Sequence, residues 1–229
     1  MTLQRAVKWA AAISIMLALG IAPVSGLVSR SSSSPSPPRS TDFDPERPIL
    51  ILVRGWLWDP LSRKEVPPLE FASQMNEFLQ QEHVTGTVIV EWRWSRVPAD
   101  IFDADREFTS FARAANAEAA RSGHCVNYLG HSAGAALVYS AASHGVRMGY
   151  MGTLGLPTRG SARPGSVMQW ENFYTSTQSN DIEGRFWASD MAADHNIDLK
   201  MPHRNFWESS EVARITAVGI ARSWNECRP

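Results

Sequence analysis

Cysteine is scarce: the 229 residues contain two, Cys125 and Cys227. Neither stands in a metal-type spacing. Neither lies near the small residues Val24-Ser25-Gly26, which excludes a lipid-modified bacterial lipoprotein. An excess of charge is also missing: 22 basic residues face 23 acidic ones, for a net charge of −1 with no basic stripe. That balance excludes nucleic acid as an expected partner. Internal repeats are absent. Aromatics, by contrast, are plentiful. Nine Trp and nine Phe point to a packed globule rather than a disordered chain, and the length suffices for one sizeable core.

The N-terminus reads as a targeting segment. Arg5 and Lys8 form a positive start, and Trp9 to Ala22 is an uncharged, mostly apolar run. Val24-Ser25-Gly26 offers a cleavage site, so residues 1–26 are expected to be a signal peptide and the mature chain secreted or periplasmic. Cleavage there leaves a net charge of −3. The alternative is an uncleaved anchor over residues 9–28, with loose membrane association, although Pro23 and Gly26 interrupt it. Residues 27–41, rich in Ser and Pro, read as an extended linker. The folded domain is expected over 42–229.

Within that domain, apolar runs alternate with helical patterns. Strands are expected at 48–53, 87–92, 126–129, 149–154 and 168–175, with a last edge strand at 196–200. Helices are expected at 67–80, with Phe71, Met75, Phe78 and Leu79 on one face, and at 104–121, with Phe108, Phe111, Ala115 and Ala119 buried and Gly123 as cap. A third runs to Ala142 and a closing one over 207–222. The continuous apolar strands, as in Ile49-Leu50-Ile51-Leu52-Val53, suit a sheet covered on both faces. The alternation predicts an α/β fold with a doubly wound, mostly parallel sheet.

One stretch carries chemistry. Val126-Asn127-Tyr128-Leu129 leads into Gly130-His131-Ser132-Ala133-Gly134 and then an Ala-rich helix. A strand, a tight turn and a helix put Ser132 at the apex of a strained turn, its hydroxyl clear of the sheet. Gly130 and Gly134 flank it where a Cβ would clash. The helix N-terminus aims N–H groups at whatever that hydroxyl attacks. A serine in a Gly-rich turn is the bland alternative, and the strand before and helix after argue against it.

This stretch resembles the nucleophile elbow of the α/β-hydrolase family. A second match is Thr153-Leu154-Gly155-Leu156-Pro157-Thr158-Arg159-Gly160, which is similar to the segment after the next strand in bacterial and plant lipases and esterases. The resemblance covers roughly 49–222. It implies a compact α/β-hydrolase fold without the first antiparallel strands, for which there is no space before Pro48, and without a lid, for which 159–167 leaves no room.

The resemblance also implies a serine esterase or lipase-like activity on a small-molecule or lipid ester, with no metal or organic cofactor. The family's order of nucleophile, acid and base falls on Ser132, Asp181 and His203. His195 is the rival base, and Asp190, Asp194 and Asp198 are the rival acids. Asp190, Asp194 and His195 together do not read as a metal cluster. The backbone N–H groups of Ala133 and Trp56 would form the oxyanion hole. Arg54 stands where the family usually has His, and either a structural ion pair or a catalytic role suits it. Trp56, Trp58, Trp92, Trp94, Phe206 and Trp207 would line the substrate side, or some of them would simply roof a lidless core. His131 reads as a neighbour packing beside the site. In that architecture Cys125 and Cys227 both lie at the face opposite the site, so either a disulfide or a buried free Cys125 with an unpaired Cys227 fits. An acyltransferase using the same residues and a non-catalytic hydrolase-fold binding protein are the alternative functions.

Overall fold

The computed structural model describes residues 47–55, 69–92, 94, 100–157, 162–176 and 191–227. The expected signal segment, the linker, and Trp56, Trp58, Asp181 and Asp190 lie outside them.

Six strands form one sheet in the order β2-β1-β3-β4-β5-β6. They are β1 (Ile49–Val53), β2 (Val88–Trp92), β3 (Val126–His131), β4 (Met148–Leu154), β5 (Val167–Tyr174) and β6 (His195–Asp198). Every neighbouring pair is parallel. The central strands β1, β3 and β4 are buried at each position, which is why their sequences do not alternate.

Helices cover both faces: α1 (Leu69–Gln81), α2 (Ile101–Arg121), α3 (Ala133–Ser143) and α4 (Ser210–Glu226). Ile49, Ile51 and Val53 point to one face, among Phe108 and Ala112 of α2 and Ala135 and Val138 of α3. Leu50 and Leu52 point to the other, among Phe71 and Met75 of α1 and Val212 and Ile220 of α4. Each such Leu or Phe stabilises the fold by about 1.5–3 kcal/mol.

Three of the boundaries that differ from expectation have a visible cause. Helix α2 begins at Ile101 rather than Ala104, because Ile101 and Ala104 are both buried and extend the Phe108 stripe by one turn. The closing helix begins at Ser210 rather than Trp207. Ser209 stops it from starting earlier: its hydroxyl accepts the Val212 N–H at 3.3 Å as an N-cap. Trp207 belongs instead to a short 3₁₀ helix, His203–Glu208. Strand β6 begins at His195, which the sequence places in a polar stretch before the strand. A buried carboxylate, Glu171 on β5, holds the His195 ring and draws that residue into the ladder.

At the amino ends of the strands, Asn127 replaces an apolar residue inside the core. Its amide donates to Ile49 O at 3.0 Å, and its oxygen accepts from Tyr150 N–H at 3.0 Å and Ser223 Oγ at 2.6 Å. It thereby ties β1, β4 and α4 to β3. Beside it Cys125 and Cys227 form a disulfide, with Cα atoms 5.8 Å apart and a separation of 102 in sequence. A cross-link that long removes much freedom from the unfolded chain. Reduction, or the double change Cys125→Ala and Cys227→Ala, should lower unfolding free energy by about 2–4 kcal/mol in denaturant titrations. An unchanged midpoint would show that the bridge does not hold α4 in place.

Candidate active site

The carboxyl ends of β1 and β3 meet where the strand order reverses direction, the place where open α/β sheets bind ligands. Ser132 follows β3 there, at φ 54° and ψ −122°, a left-handed conformation unusual for a residue with a Cβ. Its N–H is held by Leu154 O at 2.8 Å. Although Ser132 occupies the N-cap of α3, its hydroxyl makes no capping bond. Ser209, at the same position of α4, does. The strained backbone therefore turns the Ser132 hydroxyl away from the helix it begins.

Close backbone crossings hold this turn. A Cβ at Gly134 would lie 2.2 Å from Val53 O, and one at Gly55 would lie 2.7 Å from Ser132 Cβ. The chain leaving β1 thus passes directly over the serine, and the Ala133 N–H at the start of α3 lacks an intrahelical acceptor. Trp56, the other expected oxyanion donor, lies outside the described residues.

His203 begins the 3₁₀ helix and is buried. Gly155, at φ 61°, lies directly against its ring: a Cβ there would stand 2.2 Å from Cε1 and 2.3 Å from Nδ1. Gly155 immediately follows Leu154, whose carbonyl holds Ser132. His131, which immediately precedes Ser132, donates from Nε2 to His203 O at 3.1 Å, and the two rings stack 4.4 Å apart. The structure thus brings His203 against His131, which precedes the serine, and against Gly155, next to the residue that holds the serine N–H. Burial, with His131 beside it, lowers the His203 pKa well below its ordinary value, and burial takes His131 down to about 4. Both rings are neutral at neutral pH.

The rivals lie elsewhere. His195 pairs in register with Glu171, which pairs with Gly152, which pairs with Leu129. It therefore stands three strands, roughly 14 Å, from β3. Its Nδ1 donates to Glu171 at 3.0 Å. Asp194 accepts from Arg163 at 2.5 Å and from Trp170 N–H at 2.8 Å. Asp198 accepts from Ser176 N–H at 3.0 Å, from the Ser176 hydroxyl and from Lys200 N–H at 3.1 Å. Both carboxylates are thus engaged in loop bonds. Asp181 lies outside the described residues. Among the described residues, no three His, Cys, Asp or Glu side chains gather as a metal site would require.

Two expected substrate-side aromatics are core residues. Trp92 is 1% exposed and packs edge-on against Phe108 at 5.0 Å, since it ends β2 on the α2 face. Phe206 is fully buried, 5.1 Å from the His203 ring. Neither presents a surface to a ligand. Trp207 is likewise packed, against Phe71 at 5.2 Å and His131 at 5.8 Å. Trp94 stays partly exposed, and its indole N–H donates to Arg54 O at 3.0 Å. The Arg54 side chain forms an ion pair with Glu91. Indole and ion pair together pin the turn that runs over Ser132. The sequence gives no signal of the Trp94 bond, because it joins residues 40 apart.

Comparison with protein-family models and with curated proteins finds no match to the chain. Among the described residues no helix is long and apolar enough to cross a membrane; residues 9–28 lie outside them.

Proposed function

We propose that this chain is an exported serine hydrolase of the α/β-hydrolase kind, cleaving carboxylic esters through an acyl-enzyme. The observation that carries this reading is the left-handed Ser132, uncapped at a helix N-terminus, with the buried, neutral His203 bonded to and stacked on His131, the residue before the serine. The parallel sheet and the placement of Ser132 at the strand-order reversal support it.

The chemistry needs few parts. A serine hydroxyl is too weakly acidic to attack an ester alone. His203, neutral and therefore able to accept, takes the Oγ proton as Oγ bonds to the ester carbon. The carbonyl π electrons move onto oxygen, and the Ala133 N–H at the positive end of α3 stabilises that charge. In this reading Trp56 N–H is the second donor, and Asp181 stabilises the imidazolium. Collapse breaks the bond to the alcohol, which leaves with the proton from His203. Water, deprotonated by His203, then releases the acid and restores Ser132. The substrate is a small-molecule or lipid ester, and the N-terminal segment directs the protein out of the cytoplasm.

A fluorophosphonate probe tests the reading. It should label the folded protein covalently, and labelling should vanish with Ser132→Ala. His203→Ala should slow it by a factor of about 10² or more, while His195→Ala should leave it unchanged. No labelling of the folded wild type would refute the hydrolase assignment.

A further inference from the structure

We propose that His131 is a positioning residue for this site: its Nε2–H clamps the His203 backbone, and its ring is the platform that sets the plane of the His203 imidazole. This rests on the reading of Ser132 and His203 as nucleophile and base.

The two contacts are distinct. A carbonyl oxygen only accepts, so the 3.1 Å contact with His203 O requires the proton on His131 Nε2. The stacking, at 4.4 Å and 23° between planes, fixes the other degree of freedom, the tilt of the His203 ring. His203 needs such support because it opens a six-residue 3₁₀ helix rather than a strand or a long helix. Phe206 and Trp207, 6.3 and 5.8 Å from the His131 ring, keep His131 from swinging away.

Position in the chain gives the clamp its use. His131 and Ser132 share a peptide bond, so whatever fixes His203 to His131 fixes the base relative to the nucleophile. The charge logic agrees. When His203 takes the serine proton it becomes a cation in a buried place. A neutral aromatic ring stacked on it is favourable, whereas a second cation would repel it. Burial keeps His131 neutral through that step.

The experiment uses the full chain, p-nitrophenyl acetate as ester and the fluorophosphonate as probe, with circular dichroism melts to establish folding. His131→Phe keeps an aromatic platform and loses the donor; His131→Ala loses both. With His131→Phe, kcat and the labelling rate should fall by about tenfold; with His131→Ala they should fall by about a hundredfold or more. KM should stay within about threefold, because substrate contacts are untouched. A residue that only fills the core would lower the melting temperature and leave the kcat of the folded enzyme alone. An unchanged kcat in folded His131→Phe, or a loss confined to KM, overturns the proposal. If His131→Ala does not fold, His131→Phe decides. A wild type that neither labels nor turns over ester refutes the hydrolase reading itself, and that result is read before any variant is made.

Discussion

Gly155→Ala should abolish most of the proposed esterase activity while leaving a folded protein. The new Cβ would stand 2.2 Å from His203 Cε1 and 2.3 Å from Nδ1, far inside van der Waals contact. The ring cannot yield easily, because His131 stacks on it at 4.4 Å and Phe206 packs beside it at 5.1 Å. A displacement of about 1 Å at a catalytic base costs on the order of 10² in rate. Alanine at φ 61° adds strain of about 1–2 kcal/mol, so a fall in stability alone would not be informative. Gly145→Ala separates the two effects. Gly145 has φ 83° and nothing within 4 Å of its would-be Cβ. It lies just past α3, at the end remote from Ser132. It should lose similar stability and keep full activity. Fluorophosphonate labelling of Gly155→Ala at the wild-type rate would show that His203 is not the base.

Stability should fall steeply as pH drops below 6.5. Burial lowers the pKa of His131 to about 4, and burial with His131 alongside lowers His203 well below 6.5. Above pH 6.5 both histidines are neutral in the folded and unfolded chains, and this contribution is fully present. Below it the unfolded chain binds protons that the folded one refuses, so the unfolded state gains. Each histidine removes up to about 1.4 kcal/mol per pH unit until its folded pKa is reached. For His131 the window runs from 6.5 to about 4, a loss of about 3 kcal/mol. Asp105, whose carboxyl is raised by burial, works in the opposite sense. The comparison variant is therefore His131→Phe, which should flatten the profile by roughly half between pH 6.5 and 5. The proposed activity of the surviving folded protein should persist in the same range, because His203 stays unprotonated. Denaturant titrations at several pH values give the slope, and a flat wild-type profile would contradict the neutral, buried pair.

The sheet and the elbow were legible in the sequence for local reasons. Ile49-Leu50-Ile51-Leu52-Val53 has no polar face, so only burial on both sides suits it. Gly130-His131-Ser132-Ala133-Gly134 permits a crossing that side chains at either glycine would block. The Cys125–Cys227 pairing was one of two readings that the resemblance allowed, since sequence fixes no distance between residues 102 apart. Trp92 and Phe206 were placed on the substrate side because aromatics near strand ends suit either a core or a cleft. Their depth depends on which helix packs over them.

By itself the sequence determined an α/β chain with a serine at a strained strand-to-helix turn, because backbone sterics and apolar patterning act over a few residues. Only the tertiary structure decided which histidine packs against the residue that precedes that serine. His195 and His203 are eight residues apart and both close to β6. Register carries His195 to the far edge with Glu171, while the 3₁₀ turn folds His203 back over Gly155 and onto His131. Such contacts join residues 24 to 72 apart in the chain, where no local pattern reaches and packing alone selects the partner.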